Sequence, residues 1–384
     1  MGFEPFRTFP PTIVTEPSPF NASIPDAKLV KLHELVKAAE VGPVTYEGLQ
    51  QDRRYGITRD WLNNAKEQWQ RFDWKAVEKE INSFPNYKAQ IEHDGTIFDV
   101  HFLAIFSEAK SAVPALMLHG WPGSFMEFLP ILRLLIRKYS PSTLPYHIVV
   151  PSLPGYAFSS PPPLDRDFRL EDVAQMIDTL MVQLGFGEGY AVQGGDIGSK
   201  VARVLGGVHR RAKAIHLNFG IMPDPGNIAP SEHNELEKDG LVRAREFAPL
   251  ALSLSTNPLA LLAWIGEKFL DWTDEDPTLE TIIEAVSLYW LTDCFATSIY
   301  PYRQLFTPGN IGAHENPTWH INKPLGFSWF PKEIAPVPRN WIATTGDLVF
   351  FRQHQRGGHF AAIEHPEVLL KDFEDFLRQV WSTS

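Results

Sequence analysis

The stretch "VQGGDIGSKV", residues 192–201, decides how the chain is read. It closes an apolar run, "GYAVQGGD", and opens a helical segment, with Gly194 and Gly198 placed two residues either side of Asp196. Small residues at those positions permit a sharp strand-to-helix turn that lifts the central side chain clear of the sheet edge. An aspartate in a place often held by serine points to alkyl transfer onto a carboxylate instead of acyl transfer onto a hydroxyl. Taken alone, the same turn reads more readily as an ordinary strand-to-helix turn with an aspartate capping the helix.

The flanking sequence supplies the sheet that such a turn needs. "VPALMLHG" and "YHIVVPSLPG" precede it and "AKAIHLNFG" follows, with "FLPILRLLIRKY" and "EDVAQMIDTLMVQLGF" as helical stretches between. That alternation predicts an α/β fold with a mostly parallel central sheet and helices on both faces. "KAQIEHDGTIFDVHFLAIF" (88–106) reads as two alternating strands around an Asp94-Gly95 turn. From about 221 to 310 the period is helical, as in "LALLAWIGEKFLDW" and "TLETIIEAVSLYWLTDCF". Strands return at "LGFSWF" and "DLVFFRQ", and "PEVLLKDFEDFLRQVW" closes the chain as a helix.

The expected organisation is a core of residues 88–220 and 311–384, a helical lid of 221–310, and an N-terminal segment, 1–87, wrapped around the core. A helical block between two sets of strands would cover the carboxyl ends of the sheet, where open α/β sheets place their sites. Within the N-terminal segment, Trp61, Trp69, Phe72 and Trp74 form an aromatic stripe expected to pack on the main domain.

Composition narrows the function classes. The 384 residues carry a formal charge of −11, with 44% hydrophobic and 21% charged residues, which disfavours a nucleic-acid or anionic-membrane surface. One cysteine, Cys294, excludes an internal disulfide framework. "MGFEPFRTFPPTIVTEPSPF" has neither a basic start nor a signal-length apolar run, and Phe6 stands where a myristoylation signal wants Ser or Thr. A cytoplasmic protein without a membrane anchor is expected, and a homodimer is compatible with the sequence.

Asp196 needs partners. "GGHFAAIEHPE" places His359 after two glycines, late in the chain. "LHGWPGS" (118–124) follows a strand and can aim the Trp121 N–H at the site, which with the Ile197 N–H would form an oxyanion hole. His359 alone reads more readily as structural than as catalytic. The joint occurrence, in this order and after these elements, is what favours a catalytic set.

The chain resembles the microsomal-type epoxide hydrolases, and their soluble fungal members in particular. The likeness runs over nearly the whole sequence and is carried by "PFNASIPDAKLVKL", "FPNYKAQIEHDGTIFDVHF", "LHGWPGSFMEFLP", "PSLPGYAFS", "GGDIGS", "NPLALLAWIGEK", "LYWLTD", "GFSWFPKEI" and "GGHFAA". It implies an α/β-hydrolase fold and conversion of an epoxide to a vicinal diol. Asp196 would attack an epoxide carbon to form an ester, and His359 would activate water to cleave it. The expected partners are a small apolar or aromatic epoxide and water, with no cofactor and no metal. The acid is a choice between Glu333, after the strand "LGFSWF", and Asp347, which opens a strand. The family's acid occupies the place of Glu333.

Epoxide opening leaves an alkoxide unless a donor polarises the oxygen, a role a tyrosine phenol suits. The family uses two lid tyrosines. "SIYPYRQ" matches the second, with Tyr302 in the functional place and Tyr300 nearby. The segment matching the first, "DGLVRAREFAPLALSLSTNP" (239–258), contains no tyrosine. Tyr289, in "SLYWLTD", reads as core. Trp264, Trp272 and Trp290 suit an apolar pocket or helix packing equally. Two alternatives stay open: a lid-modified epoxide-opening cyclase or non-catalytic binder, and a haloalkane dehalogenase. The dehalogenase is weakened by Ile197, which stands where a halide-binding Trp would follow the nucleophile.

Overall fold

The computed structural model describes residues 3–222, 226, 234, 237, 257–305 and 316–381. Its strands are β1 (Ser18–Pro19), β2 (Asn86–His93), β3 (Thr96–Ile105), β4 (Val113–Leu118), β5 (Tyr146–Pro151), β6 (Tyr190–Gly194), β7 (Ala212–Leu217), β8 (Ile321–Trp329) and β9 (Gly346–Gln353). Among the described residues they form one sheet in the order β1-β2-β3-β5-β4-β6-β7-β8-β9. The pairings from β1 to β5 are antiparallel, and those from β5 through β4 to β9 are parallel.

The sheet grows from its sequence in two ways. β5, "YHIVVP", is buried at all six positions, as a strand covered by helices on both faces must be. The β2–β3 hairpin turns at Asp94 (φ +48°) and Gly95 (φ +74°), the positive dihedrals a two-residue hairpin turn requires, and pairs His93 with Thr96.

Helices α1 (Asp26–Ala38), α2 (Arg59–Trp69) and α3 (Trp74–Ser83) precede β2. α4 (Leu129–Lys138), α5 (Leu170–Gln183) and α6 (Asp196–Val208) connect the parallel strands. Between β7 and β8 stand α7 (Pro258–Asp271), α8 (Leu279–Leu291) and the short turns α9 (Phe295–Ser298) and α10 (Tyr302–Leu305). The chain ends with α11 (Arg339–Ala343), α12 (Ala361–Glu364) and α13 (Pro366–Val380). Among the described residues no single helix is long and apolar enough to cross a membrane.

Two members of the aromatic stripe, Trp61 and Trp69, meet the helices inserted between β7 and β8. Trp69 Nε1 donates to Ser287 Oγ on α8 (2.8 Å). Trp61 lies against Gly266 of α7, where a Cβ would stand 2.5 Å from its Cη2 atom. Lys28 on α1 reaches the Leu291 carbonyl and Asp293 just beyond α8. These residues hold the helices inserted between β7 and β8. The apolar face of an amphipathic helix announces that something covers it, but not what.

Candidate active site

Asp196 sits where β6 hands over to α6, at φ +43°, a left-handed conformation that costs a non-glycine residue strain. Two glycines let the turn close around it. A Cβ on Gly194 would lie 2.5 Å from the Gly198 carbonyl oxygen, and one on Gly198 would lie 2.2 Å from the Leu118 oxygen of β4. Gly198→Ala should therefore lower folding stability by about 1–3 kcal/mol through overpacking, read as a shift in the denaturant midpoint. A midpoint equal to wild type would mean that β4 and α6 separate freely.

His359 follows Gly357 (φ +101°) and Gly358, and its own N–H donates to the Trp272 carbonyl at 2.7 Å. That bond ties the histidine loop to the helices inserted after β7. The imidazole Nδ1 is 2.5 Å from Glu333 Oε1, and Nε2 is 3.5 Å from Asp196 Oδ2. Glu333 is buried just beyond β8, and its Oε1 also accepts the Ile334 N–H at 2.5 Å. Asp347 opens β9 in an exposed position. The structure thus brings Asp196, His359 and Glu333 together. Burial opposes charge on the imidazole, but the Glu333 and Asp196 carboxylates outweigh it and push His359 up to about 10.

The loop after β4 supplies a donor. Trp121 N donates to Asp196 Oδ1 at 2.7 Å. The loop is held from below by His119, which accepts the Leu153 N–H at 3.1 Å and is kept neutral by burial, its value lowered to about 4. From above, the Tyr289 hydroxyl donates to the Gly123 carbonyl at 2.8 Å, so this residue also fixes the loop. Ile197 stands in the first turn of α6, where backbone N–H groups have no acceptor inside the helix. Trp121 Nε1 is buried without a hydrogen-bond partner among the described residues.

All ten tyrosines lie among the described residues, so the site's phenols can be sorted. The buried Tyr156 and Tyr289 and the half-buried Tyr302 are the tyrosines whose hydroxyls feel the Asp196 charge. Tyr156 donates to the Ser298 carbonyl at 2.8 Å and Tyr289 to Gly123. Tyr302 packs edge-on against Trp121, ring centroids 5.5 Å apart, and burial reinforced by Asp196 keeps its phenol well above the usual range. Tyr300 buries its hydroxyl without a hydrogen-bond partner among the described residues. Its ring packs on Phe168, and the charges acting on its hydroxyl are those of Asp172 and Arg303. The two tyrosines are two residues apart at a tight turn, which sends their rings in different directions. Residues 239–256, within the segment that matches the family's first lid tyrosine, lie outside the described residues.

Of the three candidate pocket tryptophans, Trp272 reaches the site, packing edge-on against His359 (5.2 Å) and Trp121 (6.4 Å). Trp264 lies under the Lys268 ammonium instead, and Trp290 packs on the core. Phe219 and Phe295 complete an aromatic wall around His359 and Trp121. Sequence reading passed over Glu127, although Ser124 and Glu127 form a capping box in plain view. Glu127 accepts the Ser124 N–H at 3.1 Å, and burial pushes its carboxyl up to about 8. Among the described residues, His93, Asp94 and Asp172 are grouped closely enough to hold a metal, and they lie at the β2–β3 turn and on α5.

Comparisons with known proteins show the family to which this fold belongs. A family model described as "Epoxide hydrolase N terminus" matches residues 17–128, and one described as "alpha/beta hydrolase fold" matches residues 114–235. The solved structure of Aspergillus niger epoxide hydrolase is 48% identical, covers 99% of this chain and 100% of its own, and superposes with a TM-score of 0.92. Epoxide hydrolase 1 of Oryctolagus cuniculus is 30% identical over 94% of this chain and 88% of its own length. The chain belongs to the epoxide hydrolase family. Juvenile hormone epoxide hydrolase of Bombyx mori, at 24% identity and a TM-score of 0.79, shares the fold. The chain presents a half-buried carboxylate, a buried imidazole and a second, buried carboxylate, with the Tyr302 phenol nearby.

Proposed function

We propose that the chain hydrolyses an apolar or aromatic epoxide to a vicinal diol through a covalent ester on Asp196. The observation that carries this reading is the arrangement of His359 between Glu333 and Asp196, 2.5 Å from one carboxylate and 3.5 Å from the other. Asp196 attacks an epoxide carbon as the C–O bond breaks, and Tyr302 gives its proton to the departing oxygen. Ester formation removes one of the two anions holding the His359 proton. The imidazole then releases that proton, which balances the phenolate, and becomes a base.

Neutral His359 next takes a proton from water as the water oxygen attacks the ester carbonyl. The Trp121 N–H, and with it the Ile197 N–H, stabilises the oxyanion. Collapse expels the second alkoxide, which takes the proton from His359, and the Asp196 carboxyl returns its own proton to the imidazole. The closing balance is one epoxide and one water consumed per diol. Helices α7 to α10 act as a lid, and Trp121, Trp272 and Phe219 favour apolar substituents. The enzyme needs no metal or cofactor for these steps. We place it in the cytoplasm, and light scattering in solution would read whether it is a homodimer.

The test is turnover of styrene oxide and larger epoxides in water enriched in heavy oxygen. Under single turnover the diol should carry no label while Asp196 gains it, and later turnovers should release labelled diol. No diol from any substrate, with Asp196 unlabelled, would favour a lid-modified epoxide-opening cyclase or a binder. The unpartnered Trp121 indole gives the dehalogenase reading its one observation, but Ile197 offers no second side-chain donor to a halide.

A further inference from the structure

The water that cleaves the ester must reach His359 while an apolar substrate still occupies the aromatic side of the site. Beside Asp196 lies a cavity of about 20 Å³, lined by Asp196, His359, Trp121, Gln193, Asn218 and Glu127 among others. That volume admits roughly one water molecule. Gln193 is buried, its Nε2 donates to Asn218 Oδ1 at 2.8 Å, and its Oε1 has no hydrogen-bond partner among the described residues. A buried acceptor in this state favours a donor such as water.

A second, outer pocket of about 240 Å³ lies between α4 and α8 and is lined by Arg133, Glu80, Glu284, Thr281 and Ala285 among others. Gly123 and Glu127 line both spaces. The Glu127 carboxyl folds onto Gly123 so closely that any side chain on the glycine would overlap it. Trp121 borders the inner cavity, but Tyr302, Trp272, Phe219 and Phe295 line neither space, so most of the aromatic wall lies outside both.

We propose that Glu127 is the positioning residue of a separate water route, running from the outer pocket past Gly123 to the cavity at His359, and that this route supplies the hydrolytic water. Glu127 has two independent roles to divide between its oxygens. Oε1 caps the Ser124 N–H, and the rest of the carboxyl faces the route. Held neutral by burial near neutral pH, it can donate to a water as well as accept from one. The water so placed would have Gln193 Oε1, Glu127 and His359 Nε2 as its polar neighbours, enough to orient it for proton transfer. This resolves a conflict within the site, since the apolar wall that suits the substrate repels the co-substrate.

The inference rests on the ester mechanism, and the experiment separates the two. Rapid-quench mass spectrometry with styrene oxide gives the rates of ester formation and ester hydrolysis individually. Glu127→Leu should slow hydrolysis about 100-fold, the scale set by misplacing a reacting group, while ester formation stays within about threefold of wild type. Glu127→Gln, which keeps the cap and a neutral hydrogen-bonding group, should restore hydrolysis to within a few-fold. Ala285→Phe, which narrows the outer pocket well away from Asp196, should slow hydrolysis alone. Unchanged hydrolysis in Glu127→Leu, or equal loss of both steps, would overturn the proposal. A high-resolution crystal structure gives a reading independent of catalysis: an ordered water on Gln193 Oε1 and Glu127 supports the route, and a dry cavity refutes it. Absence of any adduct in both the wild type and the His359→Gln variant would instead remove the ester mechanism.

Discussion

In His359→Gln the ester should form and persist, so that the intact protein gains the mass of the epoxide and keeps it. Glutamine cannot take a proton from water, and loss of a positioned base costs about 10²- to 10⁴-fold in the step it serves. Ester formation needs only the Asp196 carboxylate, held by the Trp121 N–H, and the phenol of Tyr302. Wild type adds a pH signature. In the resting site His359 is held up to about 10 by two carboxylates against the cost of burial, so it carries a proton across the neutral range. Esterification neutralises Asp196 and lowers that value. Hydrolysis should therefore be slow at low pH and rise to a plateau as the imidazole deprotonates, and this rise should vanish in His359→Gln. A variant that releases diol at the wild-type rate, or that never gains mass across several reactive epoxides, would remove His359 or the covalent step from the mechanism.

How far the sequence reached depends on whether the information was local. The Asp94-Gly95 turn was legible because only a few residues tolerate positive φ at both positions, and the structure has both there. The Asp196 turn was legible because the close approach to Leu118 excludes side chains at Gly198. The choice of Glu333 over Asp347 followed from the resemblance. Its physical cause, the 2.5 Å contact with His359 across 26 residues of chain, is not written in any window. Likewise the stripe of Trp61 and Trp69 declared an apolar face but not that α7 and α8 would cover it. Glu127 was visible as a capping residue. Its place between two cavities depends on α4, α8 and the Asp196 turn together, and no local pattern encodes that.

Tyr302→Phe should slow ester formation by about 10²- to 10⁴-fold while leaving hydrolysis of any ester that does form near wild type. The ring survives the substitution, so the edge-on contact with Trp121 and the local packing should persist, and the loss is that of a proton donor. The expectation is sharp because, of the three phenols that feel the Asp196 charge, Tyr302 alone makes no hydrogen bond among the described residues. Tyr156 and Tyr289 spend their hydroxyls on the Ser298 and Gly123 carbonyls, and releasing either would leave a buried acceptor unpaired. Tyr300 serves as the control: its hydroxyl answers to Asp172 and Arg303, so Tyr300→Phe should leave ester formation unchanged. Single-turnover rates close to wild type in Tyr302→Phe would mean that the epoxide oxygen takes its proton elsewhere. The Trp121 indole N–H, buried beside Asp196 without a partner among the described residues, could then polarise the oxygen but not protonate it. Opening would fall back on the resting imidazolium of His359, and the His359→Gln variant would then lose ester formation as well as hydrolysis. The two variants read together therefore separate a phenol donor from an imidazolium donor.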